Sequence, residues 1–120
     1  MLVKKGAKPT DAAVARVFDA ALAVAADAEA AEDATVRVFA AAARADLGWL
    51  VATAVRLALR AAPGEPFAAM SLSDAEAVAV TKYSGLDEAG AAACLGLSPA
   101  ELRRRLLRGL TDARPVPACA

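Results

Sequence analysis

The chain contains no histidine. That removes histidine-based zinc sites and Ser-His or Cys-His catalysis. Cysteine is scarce: Cys94 and Cys119 are too few and too far apart for a disulfide scaffold or a thiolate cluster. Aromatic residues make up 4% of the 120 residues. Sheets draw on aromatic and β-branched side chains, so an all-β fold is nearly excluded. Neither sign of charge predominates, with 14 basic and 14 acidic residues, so no overall basic field announces nucleic acid. Long apolar runs are missing as well. The longest charge-free stretch, Ala89 to Ala100, has twelve residues and holds two glycines and a proline. A membrane-spanning helix needs about 20 apolar residues. The N-terminal lysines lead into an apolar stretch that Asp11 and Arg16 interrupt, which does not match a signal peptide. There is no glycine-rich phosphate loop, Walker motif or nucleophile elbow. These absences predict a cytoplasmic protein, not an enzyme, with no cofactor, no metal site and no membrane partner.

What is abundant is alanine, 36 residues of 120. Alanine is the strongest helix former and adds little buried area per residue. The expectation is an all-α fold, a compact bundle of about six helices with a thin core. Thr10-Asp11 caps a first helix to about residue 28, with Val14, Val17, Phe18, Leu22 and Val24 at three- and four-residue steps. A second helix, about 30–45, carries Val36 and Phe39. Asp46 caps a third, with Trp49, Leu50, Val55, Leu57 and Leu59, ended by Pro63, Gly64 and Pro66. Ser73 and Glu76 read as a capping box for a fourth helix that stops near Ser84-Gly85. Asp87 caps a short fifth helix closed by Gly96. Ser98, Pro99 and Glu101 start a sixth, running to about Thr111. Residues 1–9 and the segment with Pro115 and Pro117 read as loose tails.

The informative segment is Leu86 to Leu110. Ala92 lies four residues before Gly96, and Leu102 lies six after it. A small residue, a turn glycine and an aliphatic anchor at that spacing suit a helix-turn-helix. On the last helix Leu102, Leu106 and Leu110 share one stripe, expected to face the core. Arg104 and Arg108 lie opposite, with Arg103 and Leu107 between. Arginine can grip phosphate or a guanine edge with two hydrogen bonds, and Leu107 can touch a thymine methyl. A solvated face near a helix C-terminus, where cations are favoured, accounts for the same arginines without DNA.

Residues 72–111 resemble region 4 of bacterial sigma factors of the sigma-70 family, especially the extracytoplasmic-function group. Tyr83-Ser84-Gly85-Leu86-Asp87-Glu88-Ala89 is similar to that family's "Y-x-G-L-S-x-x-E" entry into its helix-turn-helix. Leu95-Gly96-Leu97-Ser98-Pro99 with Leu102-Arg103-Arg104-Arg105-Leu106 resembles the "L-G-[IL]-[SP]-x-x-[TV]-[VI]-[KR]-S-R-L" signature. Upstream, Ala31-Glu32-Asp33-Ala34-Thr35 with Val38-Phe39 resembles "A-E-D-[LA]-x-Q-x-x-F" of region 2. Trp49-Leu50, Ala54 and Arg60 resemble "W-L-x-x-I-A-x-N-x-x-x-D-x-x-R". The resemblance implies a reduced region 2 over 10–61, a short linker at 62–71 and a region 4 helix-turn-helix over 72–112. It implies recognition of a −35-type promoter element in double-stranded DNA. DNA contacts would fall on Arg103, Arg104, Leu107 and Arg108, and RNA polymerase contacts on Glu32 and Asp33.

The departures are specific. Val36 stands in place of the family glutamine, and Arg37 in place of the acidic residue after it. Glu101 replaces a threonine, and Arg104 replaces a serine. Nine residues separate Phe39 from Trp49, fewer than the family places there, and the missing stretch carries its −10 base-capturing residues. Phe18, Phe39 and Trp49 sit in apolar helical rows and are expected in the core rather than as base-stacking platforms. The alternative reading is therefore a protein-interaction module of the same fold. It would bind polymerase, a sigma or anti-sigma protein, or a second copy of itself, without melting DNA. Ten linker residues span at most about 35 Å, and each half alone has little core, so the halves are expected to pack as one body. Asp27, Glu29, Glu32 and Asp33 read as ordinary helix-start acids, Cys94 as a small buried apolar residue, and Lys4, Lys5 and Lys8 as a solubilising tail.

Overall fold

The computed structural model describes residues 11–42 and 44–113. The terminal tails, Cys119, and the lysines at 4, 5 and 8 lie outside the described residues. The remaining residues form six helices and no strand: α1 (Asp11–Val24), α2 (Ala28–Ala42), α3 (Leu47–Ala61), α4 (Leu72–Tyr83), α5 (Glu88–Leu95) and α6 (Pro99–Ala113). The chain is thus a small all-α bundle.

The layering follows from which helices are apolar all round. α3 packs on α1 and α2 on one side and on α4 and α5 on the other. α4 lies between α3 and α6, and every residue from Asp74 to Val80 is buried. A helix covered on all sides reads as continuous apolar sequence, and Ala75, Ala77, Val78, Ala79 and Val80 supply that. Alanine keeps the helices close, and the larger side chains Val17, Val38, Val51, Val55, Leu59 and Leu102 fill the space between them.

The segment 62–71 is folded into this body. Ala26 N–H donates to the Ala62 carbonyl at 2.7 Å, and Gly64 N–H to the Val24 carbonyl at 2.8 Å. The end of α3 is thereby pinned to the α1–α2 turn, and Phe67 in a short 3-10 turn (Phe67–Ala69) is buried. The two halves share one continuous hydrophobic core.

Several sequence expectations need correction. α1 stops at Val24 and α2 begins at Ala28, because the Asp27 carboxylate accepts from the Ala30 N–H at 2.8 Å and starts a new helix there. The α4 cap is Ser71, which accepts from the Asp74 N–H, and Ser73 lies inside the first turn. Asp46 occupies the α3 cap position, but its side chain makes no capping bond. α2 buries Ala31, Ala34, Thr35 and Val38, so Val36 faces outward. Leu22 and Trp49 are also exposed, and Cys94 is only partly buried.

The most informative correction concerns α6. Leu102 is wholly buried and Leu106 half-buried, but Leu110 is exposed and Gly109 is buried instead. Steps of four residues drift about 40° each around a helix, so the third leucine has rotated off the contact line. Gly109 lies on that line, and a Cβ there would meet the Val78 Cγ2 at 2.8 Å and the Met70 Sδ at 3.3 Å. The missing side chain lets α6 lie against α4. Gly109→Ala should therefore lower stability by about 1 kcal/mol, overpacking of about 1–3 kcal/mol outweighing a propensity gain of about 1 kcal/mol. Urea titration checks this, and a stabilised variant would mean α6 shifts from α4 without loss.

Candidate nucleic-acid interface

The helix-turn-helix is assembled by short-range bonds. After α4, the Ser84 hydroxyl accepts from the Leu86 N–H. The Asp87 carboxylate accepts from the Gly90 N–H at 2.7 Å and starts α5. Gly96 has φ +70°, the left-handed region where a Cβ is strained. It closes α5 with Gly96 N–H to the Ala93 carbonyl and Leu97 N–H to the Ala92 carbonyl. Ser98 then accepts from the Glu101 N–H at 3.1 Å and opens α6. Ala91 and Ala92 are buried where the helices meet, and Leu102 anchors α6. The small residue, the turn glycine and the aliphatic anchor thus hold the places that their spacing predicts.

With Leu102 and Gly109 inward, geometry at 100° per residue puts Ala100, Arg104 and Leu107 outward, with Arg103 and Arg108 on the two flanks. Leu107 is 69% exposed and Leu110 58%. The side chains of Arg103, Arg104 and Arg108 are between 56% and 64% exposed. The structure brings together all four residues assigned to DNA contact, on or beside one open helix face.

Every arginine of that face has an acidic partner. The Glu88 carboxylate accepts from Arg103 Nη2 at 2.6 Å and from Nε at 2.8 Å. Glu101 Oε1 accepts from Arg104 Nη2 at 2.7 Å and Nε at 3.0 Å, and Oε2 accepts from Arg105 Nε at 3.0 Å. Buried Asp74 on α4 takes Arg108 at 3.3 and 3.4 Å. The hydrogen bonds from Arg103 hold the Glu88 carboxyl below its ordinary value, and those from Arg104 and Arg105 do the same for Glu101. The bond to Glu88 pushes the Arg103 guanidinium up. Over 87–113 the charge count also balances, four arginines against Asp87, Glu88, Glu101 and Asp112. The one strongly basic helix of the sequence is therefore neutralised by its surroundings. Glu88 and Asp74 were not among the expected site residues. The visible signal was an acid in the first turn of each preceding helix, and the pairing across elements needed the fold.

The other expected site behaves differently. Glu32 and Asp33 are both exposed on α2, and Asp33 is paired with Arg37 at 3.0 Å. Glu32 borders a shallow groove lined by Val14, Phe18, Thr35 and Val36. α2 packs on α1 and α3 while α6 packs on α4 and α5, so these acids and the α6 arginines occupy different layers of the bundle. Among the described residues no group of three or more His, Cys, Asp or Glu side chains could hold a metal ion, and no helix is long and apolar enough to cross a membrane. No family model, no curated protein and no solved structure matches the chain.

Proposed function

We propose that this chain is a sigma-factor-like DNA-binding regulator of transcription that acts in the bacterial cytoplasm. In this reading α6 enters the major groove of a −35-type promoter element. The observation that carries it is the open outer face of α6, where Arg103, Arg104 and Leu107 stand together beyond a tight glycine turn. A recognition helix presents its N-terminal turns to base edges, and these residues occupy the second and third turns. Arg103 and Arg104 contact base edges, Leu107 a thymine methyl, and Arg108 a phosphate. The carboxylates beside them keep nonspecific attraction to phosphate small.

Fluorescence anisotropy with labelled duplexes tests this. Binding should be weak and fall steeply as salt rises. Arg104→Ala should cost about 1–3 kcal/mol of discrimination between preferred and scrambled duplexes. An unchanged ratio in that variant would remove Arg104 from the reading set.

A second reading rests on a different observation, the matched charges of the α6 face and its exposed pair Leu107 and Leu110. That surface also suits a protein partner: polymerase, a sigma or anti-sigma protein, or a second copy. Glu32 and Asp33 would then be polymerase contacts of α2. Capture of polymerase core by a chain that ignores duplex DNA at low salt would favour it.

A further inference from the structure

We infer that Glu88 is a positioning residue that aims Arg103 at guanine, so that the helix-turn-helix reads a guanine on the duplex it binds. The inference rests on the DNA-binding reading above and names the base that reading leaves open. A guanidinium has two double-donor edges, one formed by Nε and Nη2 and the other by Nη1 and Nη2. Glu88 occupies the first, with one oxygen on Nε at 2.8 Å and the other on Nη2 at 2.6 Å. The second edge keeps one N–H on each terminal nitrogen, side by side. Guanine alone shows two adjacent acceptors, O6 and N7, in the major groove, whereas adenine puts a donor beside its N7 and cytosine presents a donor. A planar fork held along one edge is preorganised to use the other.

The other arginines are held differently. Arg104 places both its bonds on a single oxygen of Glu101, and that carboxylate also serves Arg105. Arg108 meets Asp74 at 3.3 and 3.4 Å, a looser grip. Among the described arginines of α6 only Arg103 has a two-on-two fork at short distance, and it stands in the second turn. Glu88 itself sits in the first turn of α5, directly after the Asp87 cap. A carboxylate so close to a DNA groove repels phosphate. Its presence therefore costs general affinity while sharpening what Arg103 selects.

The two effects separate in Glu88→Gln, which keeps the size of the side chain but offers one acceptor oxygen in place of two. The full-length chain and this variant are each used to select duplexes from a pool with a randomised 20-base-pair centre at low salt. The enriched guanine is then replaced by 7-deazaguanine, which lacks the N7 acceptor. The unmodified protein should enrich a guanine at one fixed position and lose about tenfold in affinity on that replacement. Glu88→Gln should bind scrambled duplex several-fold more tightly and lose most of the penalty for 7-deazaguanine. Arg103→Lys, which keeps the charge without the fork, should also lose it. Equal tightening of all duplexes by Glu88→Gln with the guanine preference intact would overturn the inference and leave Glu88 as a simple electrostatic mask. Duplex binding by the unmodified protein without any enriched guanine would overturn it too. No binding to the pool at all would instead defeat the DNA-binding reading on which it rests.

Discussion

Leu102→Ala should destabilise the protein by about 2–5 kcal/mol, the range for emptying a fully buried leucine site. Leu102 is the one wholly buried leucine of α6. The other attachments of that helix are half-buried Leu106, the close approach at Gly109 and the looser Arg108–Asp74 pair. A small domain has about 5–15 kcal/mol in all, and alanine-rich packing leaves little in reserve. The loss should be local before it is global. Amide hydrogen exchange should accelerate first in α6 and α5, with α3 still protected, because α3 packs on four other helices. Urea unfolding gives the total. A loss below about 1 kcal/mol would mean that ion pairs, not Leu102, hold α6 in place.

Glu76→Ala should cost about 2–4 kcal/mol. Glu76 and Asp74 stand two residues apart on α4, about 200° around the helix, so one carboxylate faces α3 and the other α6. Glu76 is buried between Arg60, at 2.9 Å, and Arg56, at 3.5 Å. Arg56 also donates to the Cys94 carbonyl at 3.2 Å, so the cluster ties α3 to both α4 and α5. Removing one member of a buried pair leaves the other charge uncompensated, at a cost of about 3–5 kcal/mol. Both guanidinium groups reach water here, 30% and 53% exposed, which lowers the figure. Thermal melts at low and high salt check the prediction, and the loss should change little with salt because buried pairs are poorly screened. Equal stability of Glu76→Ala would show that apolar packing alone joins the halves. Glu76→Met, an apolar residue of similar length, should recover part of the loss.

Much of this architecture was legible in the sequence, and the part that was not has physical reasons. Strong local signals carried through: Asp87, Gly96 and Ser98 hold the cap and turn roles that their chemistry suggests, and six helices appear where periodicity placed them. Competing caps were harder. Ser71 and Ser73 both precede an acid three residues later, and only tertiary packing selects between them. Leu110 was assigned to the core because a stripe of leucines is conspicuous, while Gly109 carries no side chain to reveal that it is buried. Trp49 was placed inward on apolarity alone, which does not say which face a neighbour covers. The site was half legible. Its arginines and Leu107 stand out on one helix, but their partners Glu88 and Asp74 come from two other helices, and no local rule connects residues across that gap. Only the pairing of Glu101 with Arg104 and Arg105, three and four residues on along the same helix, follows from local spacing.

Docking of α6 on duplex DNA can be read from a map of amide and arginine Nε–H chemical shifts during titration with a random-sequence duplex in dilute buffer. Shifts should concentrate between Ser98 and Arg108 and fade as salt is added. Shifts confined to the α1–α2 groove around Phe18 and Val36, or none at a large excess of duplex, would contradict it.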